Sequence, residues 1–247
     1  MVRRESIPFY KAYQYCWTAL DWLYPPVCAG CGSEAGSWCE NCRQATTKIN
    51  EKICQKCGDF VSRGTTCSPC KNDPPAFNAL RSFTVFDGVA RSALHRLKYS
   101  RDISLAASLA PAMIEYLQTL NWQPDIISPI PISKDRYLQR GYNQSAFLAF
   151  PIALGLNIRY SSRIIRRVKN TRSQVGLNIQ ERKQNVAGAF ECDSKKIQRQ
   201  CILLVDDVIT TGATMRACAQ SLIENGASQV YGLSFARAKY LEDHQQV

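Results

Sequence analysis

Only two histidines, His95 and His244, occur in the 247-residue chain. His244 sits in a polar tail and His95 in the basic run His95-Arg96-Leu97-Lys98, so neither is marked as a general base. No glycine is followed by lysine, which excludes a Walker A loop and with it an ATP-driven helicase motor. Any helicase working alongside this chain would be a separate polypeptide. No run of 18 apolar residues exists, so no membrane-spanning helix is expected. Met1-Val2-Arg3-Arg4 resembles the start of a signal peptide. The following stretch is broken by Tyr10, Lys11, Gln14 and Asp21 and has no small-residue cleavage site. The expected location is therefore the cytoplasm, with Tyr10–Leu23 an amphipathic helix packed on the body. Acids are scarce in one place. Between Arg159 and Arg199 eleven lysines and arginines face three acids, which places eight of the chain's +11 net charges in that stretch. So concentrated a field implies a polyanionic ligand such as phosphate esters or nucleic acid, set against the plainer reading of a solvated basic face.

Cysteine, by contrast, is abundant. Eight of the twelve form four Cys-x-x-Cys pairs: Cys28/Cys31, Cys39/Cys42, Cys54/Cys57 and Cys67/Cys70. Two intervening residues let both sulfurs of a pair face one ion, and four thiolates complete a tetrahedral zinc site. Val27-Cys28-Ala29-Gly30-Cys31-Gly32 is repeated as Ile53-Cys54-Gln55-Lys56-Cys57-Gly58, and a second pair closes each unit. The repeat argues for two structural zinc ions, one per unit, with interleaved pairing still open. Disulfides are disfavoured without an export signal, and a redox motif would be a single pair beside a βαβ unit. Cys16, Cys192, Cys201 and Cys218 stand alone and are expected to be packing residues.

With 45% hydrophobic residues the chain can build one α/β core and a small module. The expected division is an N-terminal helix (1–24), a double zinc ribbon (25–73) and an α/β domain (78–240), with Asp73-Pro74-Pro75 as linker. Strands are expected at Leu80–Phe86, Pro124–Ser128, Ile202–Val205 and Gln229–Ala236. Helices are expected at Gly88–Lys98, Asp102–Leu120, Gln144–Leu154 and Ala213–Glu224, the last closed by Asn225-Gly226. This alternation implies a parallel sheet with helices on both faces.

The stretch Ile202–Thr214 carries the chemistry. An apolar strand delivers Asp206 and Asp207 at its carboxyl end, where ligands of open α/β sheets bind. Thr210, Thr211, Gly212, Ala213 and Thr214 then open a helix, whose free N–H groups and positive end suit a phosphate monoester. Adjacent carboxylates suit vicinal hydroxyls, as on a ribose.

The segment Val205–Thr214 resembles the phosphoribosyl-diphosphate (PRPP) binding motif of type I phosphoribosyltransferases. With the cysteine module in front, the chain resembles the ComF family of bacterial competence and DNA-utilisation proteins. Arg140-Gly141-Tyr142-Asn143-Gln144 fits that family, as does Thr171-Arg172-Ser173-Gln174 leading to Arg182 and Asn185. The resemblance implies a Rossmann-like phosphoribosyltransferase fold. It places Asp206 and Asp207 at the reacting ribose and Thr210–Thr214 around the 5′-phosphate. It puts Ser128–Ser133 in the diphosphate loop with Arg136 and Arg140 nearby, Mg²⁺ bridging the ligand, and a closing loop within Arg166–Asn185. Two functions follow. One is a transformation protein that binds PRPP and single-stranded DNA, aided by stacking on Tyr137, Tyr142 and Tyr160. The other is an active transferase with an unnamed acceptor.

Overall fold

A computed structural model describes residues 8–49, 52–168 and 188–239 of the chain. Five strands form one parallel sheet: β1 (Ala79–Val85), β2 (Ile126–Pro129), β3 (Arg159–Tyr160), β6 (Cys201–Ile209) and β7 (Gln229–Arg237). Their order is β1-β7-β6-β2-β3, so β6 is central. Two short strands, β4 (Ile165–Arg167) and β5 (Phe190–Cys192), pair antiparallel outside this sheet.

The sheet is buried on both faces because β6 is apolar at consecutive positions. Side chains of a strand alternate between faces. Accordingly Leu203 and Val205 enter one core, with α4 (Gly88–Tyr99), α5 (Ser104–Thr119) and α7 (Gln144–Leu156). Ile202 and Leu204 enter the other, with Met215, Cys218, Ala219 and Leu222 of α9 (Ala213–Glu224). The continuous run that marks a doubly covered parallel strand is thus the seam between two cores. Three short helices complete the described elements: α2 (Glu40–Gln44), α3 (Ser68–Asn72) and α6 (Lys134–Arg140), with a single turn at α8 (Ser194–Ile197).

Several expectations change. The strand read as Ile202–Val205 runs on to Ile209, because its ladder to β7 continues through Asp206, Val208 and Ile209. Both acids therefore belong to the strand, not to a loop after it. Helix α6 was not expected, nor were β3, β4 and β5, each of three residues or fewer. Helix α1 (Pro8–Leu23) forms, but it rests on the body by a narrow stripe and buries no residue fully. Tyr13 meets Phe150 edge-on at 6.0 Å, while Phe9 and Trp22 stay 73% and 84% exposed. Cys16 is exposed on this helix and is not a packing residue, whereas Cys201 and Cys218 are buried.

The cysteine-rich segment covers the outer edge of β1. Leu80 N donates to the Lys56 carbonyl (2.8 Å), Val85 N to that of Thr47 (3.2 Å), and Lys48 bridges Thr84 antiparallel. An uncovered edge strand is a template for aggregation, and here the ribbons occupy it. Gly58 makes the close approach feasible. Its φ is +69°, and a Cβ there would lie 2.5 Å from the Leu80 carbonyl oxygen. Gly32, the equivalent in the first repeat, has φ +79° with open space around it. Thermal melts should separate the two. Gly32→Ala is expected to cost about 1 kcal/mol for its backbone conformation alone. Gly58→Ala is expected to cost roughly 2–4 kcal/mol, because backbone must also move.

Candidate anion-binding site and metal centres

The eight paired cysteines form two clusters, Cys28/Cys31/Cys39/Cys42 and Cys54/Cys57/Cys67/Cys70, with all sulfurs of a cluster within 4.8 Å of one another. Pairing is thus sequential, one tetrad per repeat. Tetrahedral zinc with Zn–S of about 2.3 Å separates its sulfurs by about 3.8 Å. The Cys31–Cys39 and Cys57–Cys67 distances of 3.7 and 3.5 Å fit that spacing. Amides already point at the thiolates: Gly30 N and Cys39 N donate to Cys28 Sγ, and Cys42 N to Cys39 Sγ, each at 3.4 Å. Burial disfavours the Cys28 thiolate, yet the amides of Cys39, Cys31 and Gly30 bring its pKa down to about 6. These are two structural zinc sites.

The second feature is the end of β6. Asp207 is 3% exposed, and its Oδ2 lies 2.5 Å from Lys98 Nζ on α4. Burial opposes ionisation, but Lys98 holds this carboxyl below the usual range. Among the described residues no cation pairs with Asp206. Its Oδ1 accepts from Ser145 Oγ and from the Asp207 amide, each at 2.9 Å. Burial first, then the charge of Asp207, push its pKa up to about 8. The adjacent acids are thereby pushed in opposite directions, Asp207 toward its ionised form and Asp206 toward its neutral one.

Beyond them the chain turns at Gly212 (φ +72°) into α9. A Cβ at Gly212 would meet Leu80 at an ordinary 3.8 Å, so conformation, and not crowding, calls for glycine. The Ala213 amide is 3.3 Å from Thr211 Oγ1, and no acid lies in the first turn of α9. No acid of the helix's own first turn therefore opposes an anion at its positive end.

The segment after β2 lies alongside, since Ile130 N donates to the Val205 carbonyl (2.9 Å). Ser133 caps α6, which carries Arg136 and Arg140. Asn143 Nδ2 donates to the Ile130 carbonyl (3.0 Å) and draws the turn after α6 back to that segment. The Arg140 guanidinium lies 5.4 Å from the Tyr99 ring, one residue from Lys98. Its Nε and Nη1 are buried with no hydrogen-bond acceptor among the described residues, an arrangement that suits an incoming anion. Arg136 stands in the first turn of the same helix.

Of the three tyrosines expected to stack on bases, two are engaged. Tyr142 Oη donates to the Leu97 carbonyl and Tyr160 packs edge-on against Phe150. Tyr137 is 53% exposed. The described part of the basic segment contains local pairs, Arg166–Glu191 at 2.7 Å and Lys196–Asp193 at 2.5 Å. Residues 169–187, with Thr171–Gln174, Arg172, Arg182 and Asn185, lie outside the described residues. Lys98 was missed by the sequence reading. Its place in the last, basic turn of α4, at the carboxyl end of the sheet, is the signal that could have found it.

Three outcomes are expected. Metal analysis should give two zinc ions per chain, with affinity falling in acid as thiolates are protonated. Lys98→Met leaves Asp207 as a buried unpaired charge and should cost about 3–5 kcal/mol at neutral pH. A carboxyl with a lowered folded pKa stabilises above its unfolded value of 3.8, so that cost should shrink as pH falls through this region. Asp206 has the opposite sign. Its raised pKa means that stability is lost as pH rises from about 4 towards 8. Asp206→Asn should melt higher than wild type at pH above 8 and nearly alike at pH 5.

Residues 19–71 match the family model of a double zinc ribbon domain. Over 203 residues the chain is 32% identical to the DNA utilization protein YhgH of Escherichia coli strain K12, covering 79% of this chain and 88% of that protein. It is 28% identical over 208 residues to competence protein F of Haemophilus influenzae, covering 81% and 90% of the two chains. With competence protein ComFC of Bacillus subtilis it shares 27% over 213 residues, covering 81% and 84%. Among solved structures, glutamine PRPP amidotransferase from Bacillus subtilis superposes with TM-score 0.41 at 17% identity, over 57% of this chain and 30% of that longer one. Adenine phosphoribosyltransferase from Thermoanaerobacter pseudethanolicus superposes with TM-score 0.36 at 13% identity, over 56% and 83% of the two chains. The kinship to YhgH, at 32% identity over 79% of this chain, makes it a member of the ComF family of competence and DNA-utilisation proteins.

Proposed function

We propose that this chain serves DNA uptake in transformation by binding PRPP and single-stranded DNA inside the cell. One observation carries the PRPP reading: a half-buried Asp206 and a buried Asp207 stand near the carboxyl end of the central strand, and a glycine-turned helix N-terminus follows. Asp206 and Asp207 would receive the ribose hydroxyls, Val205 the adjoining backbone, and Thr210, Thr211, Gly212, Ala213 and Thr214 the 5′-phosphate. The buried nitrogens of Arg140, with Arg136 and Lys98, would face the diphosphate. Among the described residues the cysteine tetrads are the only groups of three or more metal-ligating side chains. Mg²⁺ would therefore be held chiefly by ligand oxygens, where it supplies charge neutralisation to a departing diphosphate.

Two features support the DNA reading: the names of the relatives, and the +8 carried by Arg159–Arg199. Thiolate zinc sites suit the reducing cytoplasm. A second reading, transfer of phosphoribose to an acceptor, is favoured by the orphaned Arg140 nitrogens, which would stabilise leaving diphosphate.

Titration calorimetry of PRPP with Mg²⁺ tests the site. Wild type should bind, and the Asp206→Ala/Asp207→Ala double variant should lose the signal while keeping both zinc ions. A zinc-loaded, folded wild type that ignores PRPP would refute the reading. Binding of single-stranded DNA should weaken linearly in log salt, with a slope of about −0.7 per phosphate neutralised. Diphosphate release with added bases decides the transferase reading.

A further inference from the structure

The second metal centre and the phosphate-loop helix share a side chain. Arg216 lies in the first turn of α9, where its amide donates to the Gly212 carbonyl (2.9 Å). Its guanidinium reaches sideways into the second ribbon. Nη2 donates to Cys70 Sγ (3.2 Å) and Nη1 to the Asp73 carbonyl (2.9 Å), with the Asp73 carboxylate 3.7 Å away. The side chain is only 16% exposed. The same ribbon is tied elsewhere around the loop: Arg237 Nη2 donates to the Cys57 carbonyl, and Lys56 accepts from Leu80, whose side chain approaches Gly212. The first ribbon packs instead on Val89, Ser104 and Phe235.

Charge alone would set the two sites against each other, so a favourable link has to act through the position of Arg216. Four thiolates around a divalent ion leave a doubly negative centre, which opposes an anion across a poorly polarisable interior. A cation in the first turn of a helix is itself disfavoured by the dipole. The thiolate of Cys70 and the acceptors of Asp73 offset that, and the guanidinium stands between the metal centre and the start of the helix. A side chain that both bonds a ligand sulfur and fixes a neighbouring element is the kind of outer contact that tunes metal affinity.

We propose that Arg216 is a positioning residue that couples the second zinc site to the phosphate loop, so that zinc there and a phosphoribosyl ligand at Thr210–Thr214 strengthen each other's binding. The coupling rests on the PRPP reading above, and it is reciprocal by linkage.

The test compares zinc-loaded wild type with Arg216→Gln and Arg216→Lys, by PRPP–Mg²⁺ titration, zinc release to a chelator and NMR of the cadmium-exchanged chain, where each tetrad gives its own signal. In wild type PRPP should move one cadmium signal and leave the other. Arg216→Gln should displace that same signal, abolish its response to PRPP and weaken PRPP roughly fivefold or more. It should also speed release of one of the two zinc ions about tenfold or more. Arg216→Lys keeps the charge without the planar fork and should fall between. It carries the comparison if Arg216→Gln loses both signals through misfolding. PRPP that binds wild type without moving either signal, and binds the variants equally well, overturns the coupling alone. Wild type that binds no PRPP overturns both the coupling and the reading beneath it.

Discussion

Two carboxylates side by side at the end of a central, doubly buried strand are the demand around which the rest of this site is arranged. Strand β6 sits between β7 and β2, so its carboxyl end is walled by protein. Neither acid can be ionised there without help. Lys98 arrives from α4 to hold Asp207 charged, and Ser145 arrives from the start of α7 to donate to Asp206. Helix α4 begins after β1 and α7 after the α6 turn. The acid pair therefore draws together elements from across the domain. It also leaves one carboxyl short of charge compensation, which hydroxyls and a divalent ion brought by a ligand would supply.

The zinc ribbons are built onto the same sheet. They close the edge of β1 through main-chain bonds to Lys56 and Thr47, and the second touches α9 through Arg216 and β7 through Arg237. A segment that could have been a separate appendage is instead a wall of the domain. By holding this segment in shape, its metal also keeps the edge of β1 covered.

Much of this was legible in the sequence because it rests on short-range pattern. Helix α9 spans Ala213–Glu224 as read, since Gly212 opens it and Asn225-Gly226 closes it. The repeat favours sequential tetrads but leaves interleaving open, and the fold decides for the sequential arrangement. The parallel sheet followed from apolar runs alternating with amphipathic ones. What stayed hidden depends on distant partners. The strand was cut at Val205 because Asp206 breaks the apolar run, whereas the backbone ladder to β7 is indifferent to side-chain polarity. Lys98, Arg216 and Arg237 look like ordinary surface cations until the fold supplies Asp207, Cys70 and Cys57. Strands β3, β4 and β5 are too short for any periodicity to mark them.

The topology has a consequence for synthesis. Among the described strands β1 comes first, yet its only neighbour in the sheet is β7, the last of them. Throughout translation β1 must wait with one edge unmatched, the situation in which nascent chains associate wrongly. Its other edge is met by the ribbons, which lie before it in sequence and leave the ribosome first. Metal capture in the first part of the chain thus lets the ribbons cover that edge while the remainder is made. A cell short of zinc would be expected to lose this protein to aggregation during its production, before any ligand could rescue it.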